Sequence, residues 1–541
     1  MYRLVTDMPE PWSKLPPLVC YEDEHLLVVN KPAGLNTHAP SPSAGEGVYE
    51  WLRHREPRWA RLGIIHRLDK ETSGVLVFAK STLAKRSLTE QFTRHSIRKK
   101  YRLATDRPVP EREFTVLSRL ARAGDKYMCR PVSAGGDQAE TRFRVVDRKG
   151  GQTLLEAEPV TGRTHQIRAQ AAGRGFAVLG DTLYGGTPAA RVYLHSEELV
   201  LRHPETNEEM SFRVPAEFQV EPRWALRAAF FDPEVTDAFR LIHGAADGWP
   251  GWYVSQLGDF LLSQAEGELS EAQQGSLEQR QQRNQGAYHQ ILTRSPRQSK
   301  IQQASPRLVL GEAAPARFHI LENGLQFELS FQEGYSAGLF LDQRDNRRRL
   351  LANHVAAGFP LFEPSAPGVE VLNTFAYTCG FSVCAAKAGA RTISVDLSKK
   401  YLEWGRRNFL LNQLDPGGHE FIYGDVFDWL RRWTRRKRVF DAIILDPPTF
   451  SQSRESGAFT AEKDFGKLVA ASLPLLKPNG VMLACTNAAR LPPEQFLEQI
   501  EGGLQAGRRQ ILQRHYVPQP PDFPITRQEP GYLKTVWLRV K

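Results

Sequence analysis

The sequence predicts a multidomain protein whose last part is an α/β doubly wound parallel sheet, and three observations lead there. At 541 residues the chain is too long for one hydrophobic core and corresponds to roughly three or four domains. Its 41% hydrophobic and 24% charged content is ordinary for soluble globular proteins. Residues 369–487 alternate apolar strand-like runs with helix-like ones, the pattern of a parallel sheet covered on both faces.

The same composition narrows the partners. A formal charge of +10 and a pI near 9.3 give a modest bias toward anions. No apolar run reaches the length of a membrane span, and the start MYRLVTDMPEPWSKL lacks a signal-peptide core. Cys20, Cys129, Cys379, Cys384 and Cys485 show neither disulfide density nor zinc spacing. A cytoplasmic location is therefore expected, with no membrane partner and no metal.

Residues 1–17 read as a loosely ordered, proline-bearing lead. Beyond it, HRLDKETSG at 66–74 is followed a little under a hundred residues later by TGRTHQIR at 161–168. One acid, Asp69, stands among basic residues, and a second basic cluster is expected to fold back onto it. A carboxylate held by an arginine stays ionised at neutral pH, which a nucleophile or base needs. Arg67, His66, Arg163 and Arg168 suit a polyanion. A lone Arg-Leu-Asp would be a surface ion pair of little worth; the second cluster raises it to a site for chemistry on nucleic acid.

These motifs resemble the RluA-type pseudouridine synthases over roughly residues 18–217. VVNKPAGLNTH at 28–38, KKYRLA at 99–104, GDTLYGG at 180–186 and LHSEEL at 194–199 follow in family order. The resemblance implies an α+β fold built on a mainly antiparallel sheet, and a reaction that needs no cofactor. It also implies roles: Asp69 attacks or deprotonates the ribosyl–uracil system, Tyr101 packs on the base, Arg168 pairs with Asp69, and Arg67 fills the gap left by the extruded nucleotide. The gap must exist, because a base inside a helix hides its glycosidic bond.

VPAEFQVEPRW at 214–224 reads as a connector. In 265–305, LSEAQQGSLEQRQQRNQ is a good helix former and AYHQILTR a strand, with SPRQSKIQQASPR more loop-like. Trp249 and Trp252 in GWPGW are expected to be buried packing.

In the last part, VEVLNT is an apolar strand, FAYTCG a turn, and CAAKAGA a helix. ISVDLS is the next strand and ends in Asp396. KKYLEWGRRNFLLNQL is helical, FIYGDVFDWL a third strand with Asp425 at its tip, FDAIILDPPTF a fourth with Asp446, and GVMLACTN a fifth. Acids at successive strand ends converge where such folds bind ligands. A dinucleotide needs several glycines to approach its pyrophosphate, and this turn has only Gly380. S-adenosylmethionine carries no phosphate; its ribose suits Asp396 and its adenine amine Asp425. Any one of these acids could merely cap a helix; three together argue for a cofactor site.

DPPTF at 446–450 makes a rigid, amide-poor turn that can hold acceptors and present Phe450 to a base. This motif resembles the base-modifying S-adenosylmethionine methyltransferases. GLFLDQRDNRRRL at 338–350, YLKTVWLRV at 532–540 and FRLIHGAADGWPGWYVSQLGD at 239–259 extend the similarity to the RlmI-like and RlmK-like families of large-subunit (23S) ribosomal RNA methyltransferases. The resemblance implies a small α+β domain at 227–325 and a Rossmann-like class I methyltransferase domain at 326–541. It places S-adenosyl-L-methionine against Asp342, Gln343, Arg344, Asn373, Phe375, Tyr377, Gly380, Asp396, Asp425 and Asp446. Making 5-methylcytidine requires a cysteine thiolate, and RlmI-like enzymes keep it where this chain has Asn487, two positions past Cys485. RlmK-like enzymes, which methylate a guanine nitrogen, have asparagine there. Nitrogen is favoured and cytosine C5 stays open.

The expectation is a bifunctional enzyme acting on structured RNA, with no DNA partner. Transfer RNA remains an alternative for the isomerase. A non-catalytic ribosome-assembly factor and a protein methyltransferase are the readings from other classes. The run RRWTRRKR at 431–438 is either an RNA contact or a solvated helix end.

Overall fold

A computed structural model describes residues 14–41, 44–282, 284–292, 305–334, 336–363, 368–453, 455 and 457–541. Most of the expected lead and most of the stretch 295–307 lie outside them.

The first part is built on an eleven-stranded, mainly antiparallel sheet. Leu194–Arg202 lies at its centre, antiparallel to Arg98–Thr105 on one side and parallel to Ser73–Ala79 on the other. That parallel junction depends on Gly74. Its φ is +114°, and a Cβ there would come within 2.2 Å of the Ser196 carbonyl oxygen. The loop carrying Asp69 leads into Ser73–Ala79, so this close approach sets where the loop ends.

The connector ends earlier than the sequence suggests. Pro222–Phe230 is a helix, with proline in its first turn and Glu221 accepting the Trp224 amide. A five-stranded sheet follows, from Ala238–His243 to Arg307–Gly311. The expected polar helix is Glu271–Gln281, closed by a capping box at Ser270, and the expected strand is Gly286–Ile291. Trp252 is fully buried, and its indole donates to Ser263.

The last part is a seven-stranded sheet in the order Glu420–Tyr423, Arg391–Asp396, Glu370–Thr374, Phe440–Leu445, Leu476–Thr486, Lys534–Val540, Ile511–Val517. The first five run parallel, and Lys534–Val540 is antiparallel to both of its neighbours, Leu476–Thr486 and Ile511–Val517. Glu370–Thr374 is the point where strand order reverses, and ligands bind such folds outside it. One expectation fails here: the third strand stops at Tyr423, and Val426–Arg435 is a helix that Asp425 caps.

The parts are not loosely strung. One apolar core runs from Leu27 of the first sheet and the helical Trp51 and Trp59 beside it to Phe231, Leu241 and Trp252 of the second part. Arg348 forms an ion pair with Glu56, Arg349 lies 3.6 Å from Glu46, and His354 Nε2 is 2.9 Å from the Arg53 carbonyl. These arginines are almost wholly buried, so their pairing is a condition of burying them. No described helix is long and apolar enough to cross a membrane.

Candidate active sites

The Asp69 loop is clamped from both sides. Thr37 Oγ1 donates to the Leu68 carbonyl at 2.8 Å and accepts the Leu68 amide at 3.1 Å. Lys31, fully buried, donates to the carbonyls of Pro32, Leu35 and Lys70 at 2.9, 2.7 and 3.3 Å. Burial pulls its ammonium down to about 7, against the pull of Glu71 and Asp69. VVNKPAGLNTH thus fixes the backbone on which the acid sits.

Arg168 meets Asp69 across ninety-nine residues, Nη1 to Oδ2 at 3.2 Å. Its fork is held elsewhere: Nε and Nη2 donate to the two oxygens of Asp181 at 2.6 and 2.8 Å. Burial opposes the guanidinium charge, and the bonds to Asp181 with the fields of Asp181, Asp69 and Glu71 more than restore it. Asp181 was missed in the sequence although GDTLYGG contains it; nothing in the chain marks it as Arg168's anchor. A cavity of about 720 Å³ opens over Asp69, lined also by Arg67, Tyr101, Arg163, His165 and Lys99. Burial raises the Tyr101 phenol to about 12, so it stays neutral against a base. Arg67 is exposed at the rim. His66 corrects an expectation: its ring stacks on Phe92 with centroids 4.7 Å apart, and Nε2 accepts the Val77 amide. Burial, with Lys99 beside it, lowers its imidazole to about 3, so it brings no charge to a polyanion.

In the second site, the turn after Glu370–Thr374 is shaped by three left-handed residues other than glycine: Phe375, Tyr377 and Cys379, with φ of 53°, 49° and 61°. Such backbone is costly and is kept where surroundings enforce it. Asp396 supplies the brace, accepting the Tyr377 amide on Oδ2 and the Ser398 amide on Oδ1, both at 2.8 Å. Each oxygen keeps a lone pair for a hydroxyl. Burial raises the Asp396 carboxyl. Gly380 opens the next helix. Asn373 is buried and donates to Ser382 at 2.9 Å, tying strand to helix. Asp425 accepts the Asp428 amide at 2.9 Å.

Two half-buried acids, Asp342 and Asp446, feel each other's charge at the end of Phe440–Leu445. Gln343 donates to Asp446 Oδ2 at 3.1 Å, and the Tyr532 hydroxyl donates to Asp342 Oδ2 at 2.9 Å. Burial, aided by the neighbouring Asp342, raises Asp446 to about 7; burial also raises Asp342. Asn487 Oδ1 accepts from the Thr449 hydroxyl at 2.8 Å, which puts Asn487 beside the DPPTF turn, and Phe450 is 41% exposed there. Cys485 is fully buried, and burial keeps its thiol well above the usual range. Arg344 departs from the expected place: it is buried, forks onto Asp522 and lies 4.3 Å over the Phe231 ring. It holds the closing segment to the small sheet.

The loop suits a ligand without phosphates. Asp396 stands at the end of the neighbouring strand, and among the described residues of this turn Gly380 is the one glycine, so no cluster of glycine amides waits for a pyrophosphate.

Comparison with known proteins follows the same division. The pattern of the RNA pseudouridylate synthase family matches residues 25–173, and that of the S-adenosylmethionine-dependent methyltransferase family matches 241–539. A ribosomal RNA large subunit methyltransferase I from Citrobacter koseri is 33% identical over 317 residues, spanning 56% of this chain and 75% of its own. A ribosomal RNA large subunit methyltransferase from Deinococcus radiodurans is 30% identical over 337 residues, spanning 58% and 76%. A methyltransferase crystallised with SAH is 32% identical, covers 57% of this chain and 76% of its own, and superposes with a TM-score of 0.49.

Proposed function

From a chain that belongs to the S-adenosylmethionine-dependent methyltransferase family and carries an RNA pseudouridylate synthase domain ahead of it, we propose a cytoplasmic enzyme that makes two modifications in large-subunit (23S) ribosomal RNA. Residues 18–217 isomerise a uridine and 326–541 methylate a base, with 227–325 between them. The relatives' named substrate supports the choice of RNA.

In the isomerase, the N1–C1′ bond of uridine is exchanged for a C5–C1′ bond. Asp69 is the group for this step, since it lines the cavity with one oxygen tied to Arg168. Tyr101 offers a neutral ring to the base, and Arg67 stands exposed to take the place of the flipped nucleotide.

In the methyltransferase, Asp396 and Asp425, with the Phe375–Gly380 turn and Asn373 behind it, would hold S-adenosylmethionine. Bound there, it supplies an electrophilic methyl group. Asp446, poised near neutrality, takes the proton that a base nitrogen must lose. Asn487 and Phe450 orient that base. A guanine nitrogen is favoured over cytosine C5, because the buried, protonated Cys485 is a poor nucleophile.

The observation that carries the reading is the meeting of Asp69 and Arg168 on a cavity, in a chain that also pairs Asp342 with Asp446. Nucleoside mass spectrometry of ribosomal and transfer RNA, with and without the gene, tests it. One pseudouridine and one methylated guanosine should vanish from 23S rRNA. An unchanged 23S rRNA would refute the assignment.

A further inference from the structure

Asp69 has two oxygens, and the protein treats them differently. Arg168 Nη1 lies 3.2 Å from Oδ2, and His165 Nε2 lies 3.8 Å from the same atom. Among the described residues no hydrogen bond engages Oδ1. His165 also lines the cavity.

The imidazole is fixed from behind. Its Nδ1 is 3.0 Å from the Tyr184 hydroxyl, which accepts the Tyr127 amide at 2.8 Å. Both tyrosine rings stand edge-on to it, with centroids 5.7 and 5.8 Å away. With the Tyr127 amide occupying one lone pair, the Tyr184 hydroxyl can donate to Nδ1, which leaves the proton on Nε2, facing the carboxylate.

The backbone gives an independent sign. His165 precedes the helix Gln166–Gly173 with φ +54° and makes no side-chain cap bond. Glycine would hold that conformation without strain. A histidine at that position therefore adds nothing to helix stability.

We infer that His165 is a positioning residue for the isomerisation: Arg168 holds Oδ2 of Asp69, the His165 ring stands against that same oxygen at 3.8 Å, wider than a hydrogen bond, and Oδ1 is left as the oxygen that meets the nucleotide. This rests on the assignment of Asp69 as the reacting acid. The ring faces Asp69 on the loop, Tyr184 on the following turn and Tyr127 on the edge strand, while Arg168 on the helix also meets Glu71 and Asp181.

The test is His165→Gly in the full-length protein, with methylation in the same chain as a control for folding. Glycine removes the imidazole and relieves the backbone. The expected result is a kcat for pseudouridine formation at least tenfold lower, KM within twofold, an unchanged or raised Tm, and partial recovery on adding free imidazole. A kcat within twofold of the parent would overturn the inference. So would a loss accompanied by a raised KM or lowered Tm, or one that imidazole does not relieve. Asp69→Asn separates the two levels: if it still forms pseudouridine, the assignment of Asp69 fails; if it is inactive while His165→Gly is fully active, only the inference fails.

Discussion

The two candidate sites use the same side chain in opposite surroundings. Asp69 faces an open cavity with a buried guanidinium on one oxygen, and that guanidinium is itself anchored by Asp181. Asp446 is half-buried beside a second acid, and Arg347, whose charge also acts on it, spends its fork on Glu322 at 2.6 and 2.7 Å. One acid is given a committed cation and the other is denied one. The two acids thus have different neighbours, and the fold supplies them separately.

The largest effect that would break this contrast comes from Asp181→Ala. It leaves Arg168 buried without its anchor, which costs on the order of 3–5 kcal/mol. Differential scanning should show a lower unfolding temperature for the first transition, and pseudouridine formation should be lost. Retention of both would mean that Arg168 does not depend on Asp181.

A smaller effect sharpens the other half. Asp446 has its carboxyl raised to about 7. The proton-accepting form therefore predominates above that pH and is lost as pH falls through it. Single-turnover methylation should fall roughly fivefold between pH 7 and pH 6, and about tenfold per unit below that. A flat profile would remove Asp446 as the acceptor.

The smallest effect concerns the basic run. Trp433 is buried while Arg435, Arg436 and Lys437 point outward from the helix end, and Arg432 pairs with Asp428 at 2.8 Å. If the outward three contact phosphates, changing them to Gln should reduce the salt slope of RNA binding by up to about 3. An unchanged slope would make the run a solvated helix end.

Much of this was legible in the residues. HRLD and RTHQIR announced the Asp69–Arg168 pair because each motif carries its chemistry locally. The doubly wound sheet followed from the strands around Asn373, Asp396 and Asp446, whose apolar runs are periodic. What stayed hidden depends on contacts between distant segments. Asp181 became the anchor of Arg168 only when GDTLYGG packed under the helix. His66 read as a cation because burial against Phe92 leaves no mark in the sequence. Asp425 read as a strand tip, yet the helix it caps starts at the next residue. Arg344 and Arg348 both lie in GLFLDQRDNRRRL, which read as a segment against the cofactor. Their carboxylates, Asp522 and Glu56, lie 178 and 292 positions away.

The most direct measurement is a parallel assay of Asp69→Asn and Asp446→Asn on purified 23S rRNA, counting pseudouridine and methylated nucleoside from one reaction. Asp69→Asn should erase pseudouridine and spare methylation, and Asp446→Asn the reverse, each by on the order of 10³-fold or more. Loss of both products from a folded single variant, or survival of the product assigned to the altered acid, would contradict two separate active carboxylates.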